Sequence, residues 1–227
     1  MTRFSIPVAE YSDYVPFQSA KIERHKDYLN MLYSYSRLKK KMSIFKQLCL
    51  PSVINQTSKN WKWYIFISPL LPSYFLNELE TYLGKYLNNY IYLHFVDDMH
   101  DFLTLSSKIL EKCPKPYINC RLDDDDGIHE TFVEKMERYS SLEDGNIISF
   151  TEIIRTSLNT KNNKIEYHNK LSIPNNAVGL GSLNKNIYKF GNHTNIHEKN
   201  TIIYNKTPDM CYQTCDDSCD TKRKLTK

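Results

Sequence analysis

The stretch PYINCRLDDDDG, residues 116–127, joins a strand to a cluster of acids. Pro116–Leu122 is an apolar, strand-forming run that passes straight into Asp123, Asp124, Asp125 and Asp126, with Gly127 behind them. Two runs upstream have the same character. Lys62–Ser68 (KWYIFIS) and Tyr90–Val96 (YIYLHFV) are aromatic and β-branched, the composition of buried strands. Helical periodicity fills the intervals. Ser36–Leu50 places Leu38, Met42, Phe45 and Cys49 on one face, with Lys39, Lys40, Lys41 and Lys46 assigned to the other. Pro51 either continues or ends that helix. Ser73–Leu87 and Asp101–Cys113 predict two more helices, and beyond the acids come a helix over Ile128–Tyr139 and a strand over Asn146–Phe150. Arg3–Ala9 is a short extended candidate at the start. Strands alternating with helices predict an α/β domain whose mainly parallel sheet is covered on both faces. After Thr151 the pattern changes to short polar strands (Ile165–His168, Thr201–Tyr204), Asn-rich turns and a Gly179-Leu180-Gly181 loop. This is a shift within one domain spanning 1–227.

With 227 residues the chain can bury a core without help from disulfides or a structural metal. Its 13% aromatic content excludes disorder, and the most apolar stretch, Trp61–Leu71, is broken by Lys62 and Pro69 and too short to span a bilayer. The net charge of +4 is modest and mostly lysine, which gives little support to nucleic-acid binding. No signal peptide is visible at Met1–Glu10, so a cytoplasmic setting with free thiols is expected. Cys211, Cys215 and Cys219 recur every fourth residue, the spacing of one helical face rather than of a zinc site, and are read as ordinary thiols on a C-terminal helix or loop.

Four consecutive aspartates repel one another and resist burial unless something neutralises them. Parallel α/β sheets bind ligands at the carboxyl ends of their strands, where this run falls. A divalent cation such as Mn²⁺ or Mg²⁺ suits carboxylate oxygens and leaves positions for water or phosphate. In extended chain Asp123 and Asp125 point one way, and Asp124 and Asp126 the other. One pair could ligate metal while a member of the other caps the next helix. The alternative is a solvated acidic turn with Asp126 as helix cap. Arg121 either pairs with phosphate or holds the carboxylates. A hydroxyl acceptor needs a general base, for which Glu152 and then Glu198, Glu130 and Asp209 are candidates.

Arg3-Phe4-Ser5, the block Arg121-Leu122-Asp123-Asp124-Asp125-Asp126-Gly127, and the series Arg37, Leu38, Phe45, Cys49-Leu50-Pro51-Ser52-Val53, Gln56-Thr57, Trp61 and Trp63 together resemble the putative rhamnosyltransferase family of bacterial glycosyltransferases. The resemblance runs from Arg3 to about Phe150 and thins beyond. It implies a single Rossmann-like GT-A domain with a mixed sheet, in which residues 1–126 bind the nucleotide sugar and 127–227 form the acceptor side and a basic tail. It further implies a D-x-D motif holding a divalent metal on the diphosphate of a nucleotide-sugar donor. On that basis Asp123, Asp125 and Asp126 are the expected metal ligands, with His193 completing the shell. Arg3, Arg121, Asp123 and Asp124 are the expected nucleotide contacts. His193 could equally be a satisfied surface or core histidine, and His197 is the runner-up. The implied reaction is direct, inverting transfer to a hydroxyl of a surface polysaccharide, lipopolysaccharide or lipid-linked acceptor. Lys39–Lys41 and Lys222–Lys224 could meet the inner face of a membrane or simply be solvated. Met210–Asp217 departs from relatives, which tend to carry a Trp and a His-Gly there; a catalytically silent glycan- or nucleotide-binding relative is therefore one alternative. The other is a Mg²⁺-dependent nuclease or phosphohydrolase, which would use Asp97 and Asp98 as further carboxylates.

Overall fold

The computed structural model describes residues 1–7, 25–191, 193–198 and 200–215, with backbone alone for residues 25, 26 and 193–195. Strands β1 (Thr2–Phe4), β2 (Trp63–Ile67) and β3 (Ile91–Phe95) lie parallel in the order β1-β2-β3. Helices α1 (His25–Leu32), α2 (Tyr35–Ile44), a π-helical turn (Phe45–Cys49) and α3 (Leu50–Ile54) fill the first crossover, and α4 (Ser73–Leu83) the second. Alternation along β2 decides which layer each side chain enters. Trp63, Ile65 and Ile67 face the core built with Leu38, Phe45 and Phe75, while Phe66 faces a second core with Phe102 of α5 (Met99–Glu111). The sheet is thus covered on both sides.

β4 (Ile118–Cys120) belongs to a mixed sheet in the order β10-β6-β9-β4, with β6 at Ile147–Phe150, β9 at Leu180–Leu183 and β10 at Ile202–Asn205. β9 runs antiparallel to both β4 and β6, whereas β10 is parallel to β6. The Leu122 N–H donates to the Met1 carbonyl at 3.2 Å, which sets β1 beside the end of β4. A third sheet, β5-β11-β7-β8, comprises Gly127–Ile128, Cys211–Thr214, Glu152–Asn159 and Lys164–Ser172. The architecture is α/β with mixed, open sheets, consistent with a Rossmann-like domain.

Pro51 continues its helix. Proline lacks an N–H and crowds the carbonyl four residues earlier, and the chain meets both demands by widening just before it. The Leu50 N–H reaches back five residues to Phe45 O, a π turn, and the helix resumes through Ile54.

The expected helix over Ile128–Tyr139 is corrected to α6 (Phe132–Glu137), because Gly127–Ile128 instead pairs as a strand with β11. The C-terminal cysteines are corrected as well. Cys211 begins strand β11 rather than riding a helix, and both Cys211 and Cys215 are buried; Cys219 lies outside the described residues. The Gly179-Leu180-Gly181 loop is the entrance to β9. A Cβ on Gly179 (φ +88) would stand 2.5 Å from Cys211 Sγ, so its glycine serves packing and a left-handed turn.

Candidate functional site

The aspartates leave β4 as a turn rather than an extended run, closed by the Asp126 N–H on Asp123 O at 3.1 Å. The side chains nevertheless divide as alternate pairs. Asp123 and Asp125 are the more open, with side chains 23% and 13% exposed, against 4% for Asp124. Asp126 is buried.

Each carboxylate has a different partner. Asp123 Oδ2 accepts from Arg121 Nη2 at 2.9 Å, and Asp123 Oδ1 lies 3.3 Å from Arg121 Nε and 3.4 Å from Arg3 Nη2. Arg3 arrives from β1 because that strand lies beside β4. Burial would lower the Arg121 pKa, but Asp123 and Tyr188 outweigh it, so the guanidinium stays charged. Both guanidinium groups also lie over the Tyr188 ring, at 5.4 and 5.6 Å. Asp124 Oδ1 accepts from the buried Lys41 ammonium at 2.6 Å, and Asp125 Oδ2 is 3.8 Å from the same nitrogen. Asp124 Oδ2 is buried without a hydrogen-bond partner. Asp126 Oδ1 accepts the Thr214 N–H at 2.9 Å, tying the turn to β11. Burial pushes the Asp126 carboxyl well above the usual range, and the charges of Asp125 and Asp123 push it the same way. It does not cap α6, whose first turn begins at Thr131.

The helix containing Lys41 also shapes the back of the turn. Leu48 lies where a Cβ on Gly127 would meet it at 3.0 Å, and the Cys49 thiol lies 3.7 Å from Asp123 O. Burial, then the four aspartates, raise the Cys49 pKa, so it remains a thiol. Gln56, just past α3, is a strap: its Nε2 donates to His129 O at 2.6 Å and Ser52 O at 2.8 Å, and its Oε1 accepts from Val133 N–H at 2.9 Å. The Thr57 N–H adds a bond to Glu130 O at 2.8 Å. The Leu-Pro-Ser-Val and Gln-Thr residues thus hold the chain that follows the aspartates.

Of the residues singled out from sequence, Arg3, Arg121 and Asp123 converge, and Asp124, Asp125 and Asp126 share their turn. Glu152 begins β7 just past the end of β6, half-buried, and accepts from Thr151 Oγ1 at 3.0 Å. Glu198 is exposed, at the end of a short helical turn from His193. The His193 side chain lies outside the described residues. His197 Nδ1 is 3.3 Å from Asn175 Nδ2. Glu130 is exposed, and Asp209 pairs with Lys170 at 2.7 Å. Asp98 caps α5, accepting from the His100 and Asp101 N–H groups. Trp63 is core and donates to Thr2 Oγ1 at 2.8 Å. Among the described residues no group of three or more His, Cys, Asp or Glu is placed to hold a metal by itself.

Lys41 is the participant that sequence reasoning misplaced. Its neighbours Lys39 and Lys40 suggest the basic face, yet it follows Leu38 by three residues and precedes Phe45 by four, which is the apolar stripe. A lysine on that stripe signals a buried acidic partner. Of the two basic patches, Lys222–Lys224 lie outside the described residues. No helix among the described residues is long and apolar enough to cross a membrane.

Fold and site together define an α/β protein with an acidic turn, braced by Arg3, Arg121 and Lys41, where strand β4 of a mixed sheet ends. The chain belongs to the family described as "Putative rhamnosyl transferase", whose profile matches residues 1–227, so the family likeness continues past Phe150 to the end of the chain. That description is one of glycosyl transfer, which implies in general a sugar donor and an acceptor. No curated protein matches the chain by sequence.

Proposed function

We propose that this chain is a metal-dependent glycosyltransferase of GT-A type, moving a sugar from a nucleotide-sugar donor to a hydroxyl of a surface polysaccharide, lipopolysaccharide or lipid-linked glycan, by inverting displacement. The observation that carries this reading is the division within the aspartate turn: the side chains of Asp123, paired with Arg121 and Arg3, and Asp125 keep 23% and 13% of their surface exposed, while Asp124 and Asp126 turn inward to Lys41 and the Thr214 N–H. The donor set fits an oxygen-seeking divalent cation. The two more exposed groups are carboxylates, a buried Asp124 oxygen lacks a partner, and two protein carboxylates are a common share for Mg²⁺, whose other positions go to water and substrate phosphate. Asp123 and Asp125 would hold Mn²⁺ or Mg²⁺, which supplies Lewis-acid stabilisation of charge on the departing diphosphate.

This chain's own residues do the remaining work. Arg121 and Arg3 fix the orientation of Asp123 and present guanidinium charge where phosphate oxygens would approach. Lys41 pairs with Asp124 inside the protein and orders the turn from behind. Glu152, beyond the end of β6, is the proposed base that takes the proton from the acceptor hydroxyl, with Glu198 second. The hydrolase reading loses support because Asp98, one of its two extra carboxylates, is engaged as a helix cap.

Thermal denaturation with UDP, GDP and dTDP, each with and without Mn²⁺, tests the proposal. Ligand at about 100 times its Kd adds about 2.7 kcal/mol of stability, a readily measured rise in Tm. Stabilisation by one diphosphate that requires the metal is expected. Indifference to every nucleotide would remove the reading.

A further inference from the structure

Beside the aspartate turn lies a set of neutral side chains whose hydrogen bonding is incomplete. β9 runs antiparallel to β4, so the loop feeding it, residues 174–179, arrives at the sheet end where β4 gives way to the aspartates. Asn175 and Asn176 in that loop are 8% and 2% exposed, and Gln213 of β11 is 6% exposed. Gln213 Nε2 donates to Asn176 Oδ1 at 2.8 Å. The Asn175 N–H donates to Ser149 Oγ at 3.2 Å, and its side chain meets His197. Three atoms remain buried without a partner: Asn175 Oδ1, Asn176 Nδ2 and Gln213 Oε1. Turning the Asn176 and Gln213 amides over merely exchanges which one offers the spare donor and which the spare acceptor. Each unsatisfied buried group costs about 1–3 kcal/mol. Such groups are rare in folded proteins, and a cluster of them calls for an occupant. The cluster is also tied to the aspartates, since Thr214, next to Gln213, donates its N–H to Asp126.

We infer that Asn175, Asn176 and Gln213 form the subsite that binds the ring hydroxyls of the transferred sugar, an inference that rests on the transferase reading. Neutral amides offer fixed donors and acceptors, the complement of hydroxyls that both donate and accept. A phosphate calls for cations, and the cations here stand at Asp123–Asp125. An apolar ligand would leave the amides unpaired at full cost. Asn175 takes φ +58, a left-handed conformation that asparagine adopts more readily than most residues.

The test compares two ligands on three proteins by calorimetric titration with Mn²⁺. The ligands are the diphosphate that stabilises best among UDP, GDP and dTDP, and the same nucleotide carrying rhamnose. The proteins are wild type, Gln213→Met and Asn175→Gly; glycine keeps the left-handed backbone without strain. Wild type should bind the sugar conjugate at least about tenfold more tightly than the bare nucleotide, and each variant should lose about that factor, the value of one or two hydrogen bonds. Affinity for the bare nucleotide should be unchanged in both. Variants that lose stability yet keep the sugar increment would overturn the inference, because amides satisfied by ordered water behave that way. A wild type that binds bare nucleotide but gains nothing from the sugar overturns it too, and leaves the transferase reading standing. A wild type that binds no nucleotide removes both.

Discussion

Lys41 and Asp124 meet at 2.6 Å with side chains only 5% and 4% exposed, so neither charge is tolerable without the other. Removing one member of a buried pair strands its partner and costs about 3–5 kcal/mol. Lys41→Met should therefore lower the urea-derived stability by about that much, whereas Lys41→Met combined with Asp124→Asn should recover part of the loss. A single variant within about 1 kcal/mol of wild type would contradict the pairing. This pair also measures what could be read from sequence at the residue scale. The aspartates were visible as a site because nothing else explains four acids at a strand end. Their partners were not, because pairing spans 83 residues and only the helical phase of Lys41 hinted at it. The amides of Asn175, Asn176 and Gln213 left no hint. They lie in a turn-rich loop and in a strand that reads as an irregular segment.

Elements with a strong period were legible, and those fixed by pairing were not. β2, β3 and α5 fall within or near their expected runs because each carries a continuous apolar stretch or an amphipathic stripe. β5, β7 and β11 are short or polar, and long-range partners hold them in place. Gln56 belongs to this scale, since it ties the end of α3 to the chain that enters α6. Gln56→Ala leaves the His129 carbonyl and the Val133 N–H without their partner, and stability should fall by about 3 kcal/mol in urea denaturation. A loss below about 1 kcal/mol would show that the strap is dispensable. In β3, His94 stacks on Tyr64 and Phe66 at 5.9 and 5.4 Å, and burial holds its pKa below the ordinary 6.5. The unfolded chain therefore takes up this proton more readily. The stability that neutral His94 contributes is complete above its unfolded pKa and is lost as pH falls through 6.5 towards the folded value. His94→Phe should flatten the fall in urea midpoint between about pH 7.5 and about pH 5.5. An identical fall in the variant would deny His94 that role.

At the scale of the molecule, the net charge of +4 describes the surface and conceals the site. Three cations, Arg3, Lys41 and Arg121, gather around the four aspartates where β1 begins beside the end of β4. The proposed divalent cation would sit among these groups, on Asp123 and Asp125. The most direct measurement is a titration of Mn²⁺ followed by electron paramagnetic resonance, in which only the free ion gives the strong aqueous signal. In the presence of the preferred nucleoside diphosphate, wild type should quench that signal stoichiometrically, beyond what the nucleotide does alone, and Asp125→Asn should not while keeping its wild-type fold. Mn²⁺ that stays free with wild type, or that binds equally well to Asp125→Asn, would contradict the account.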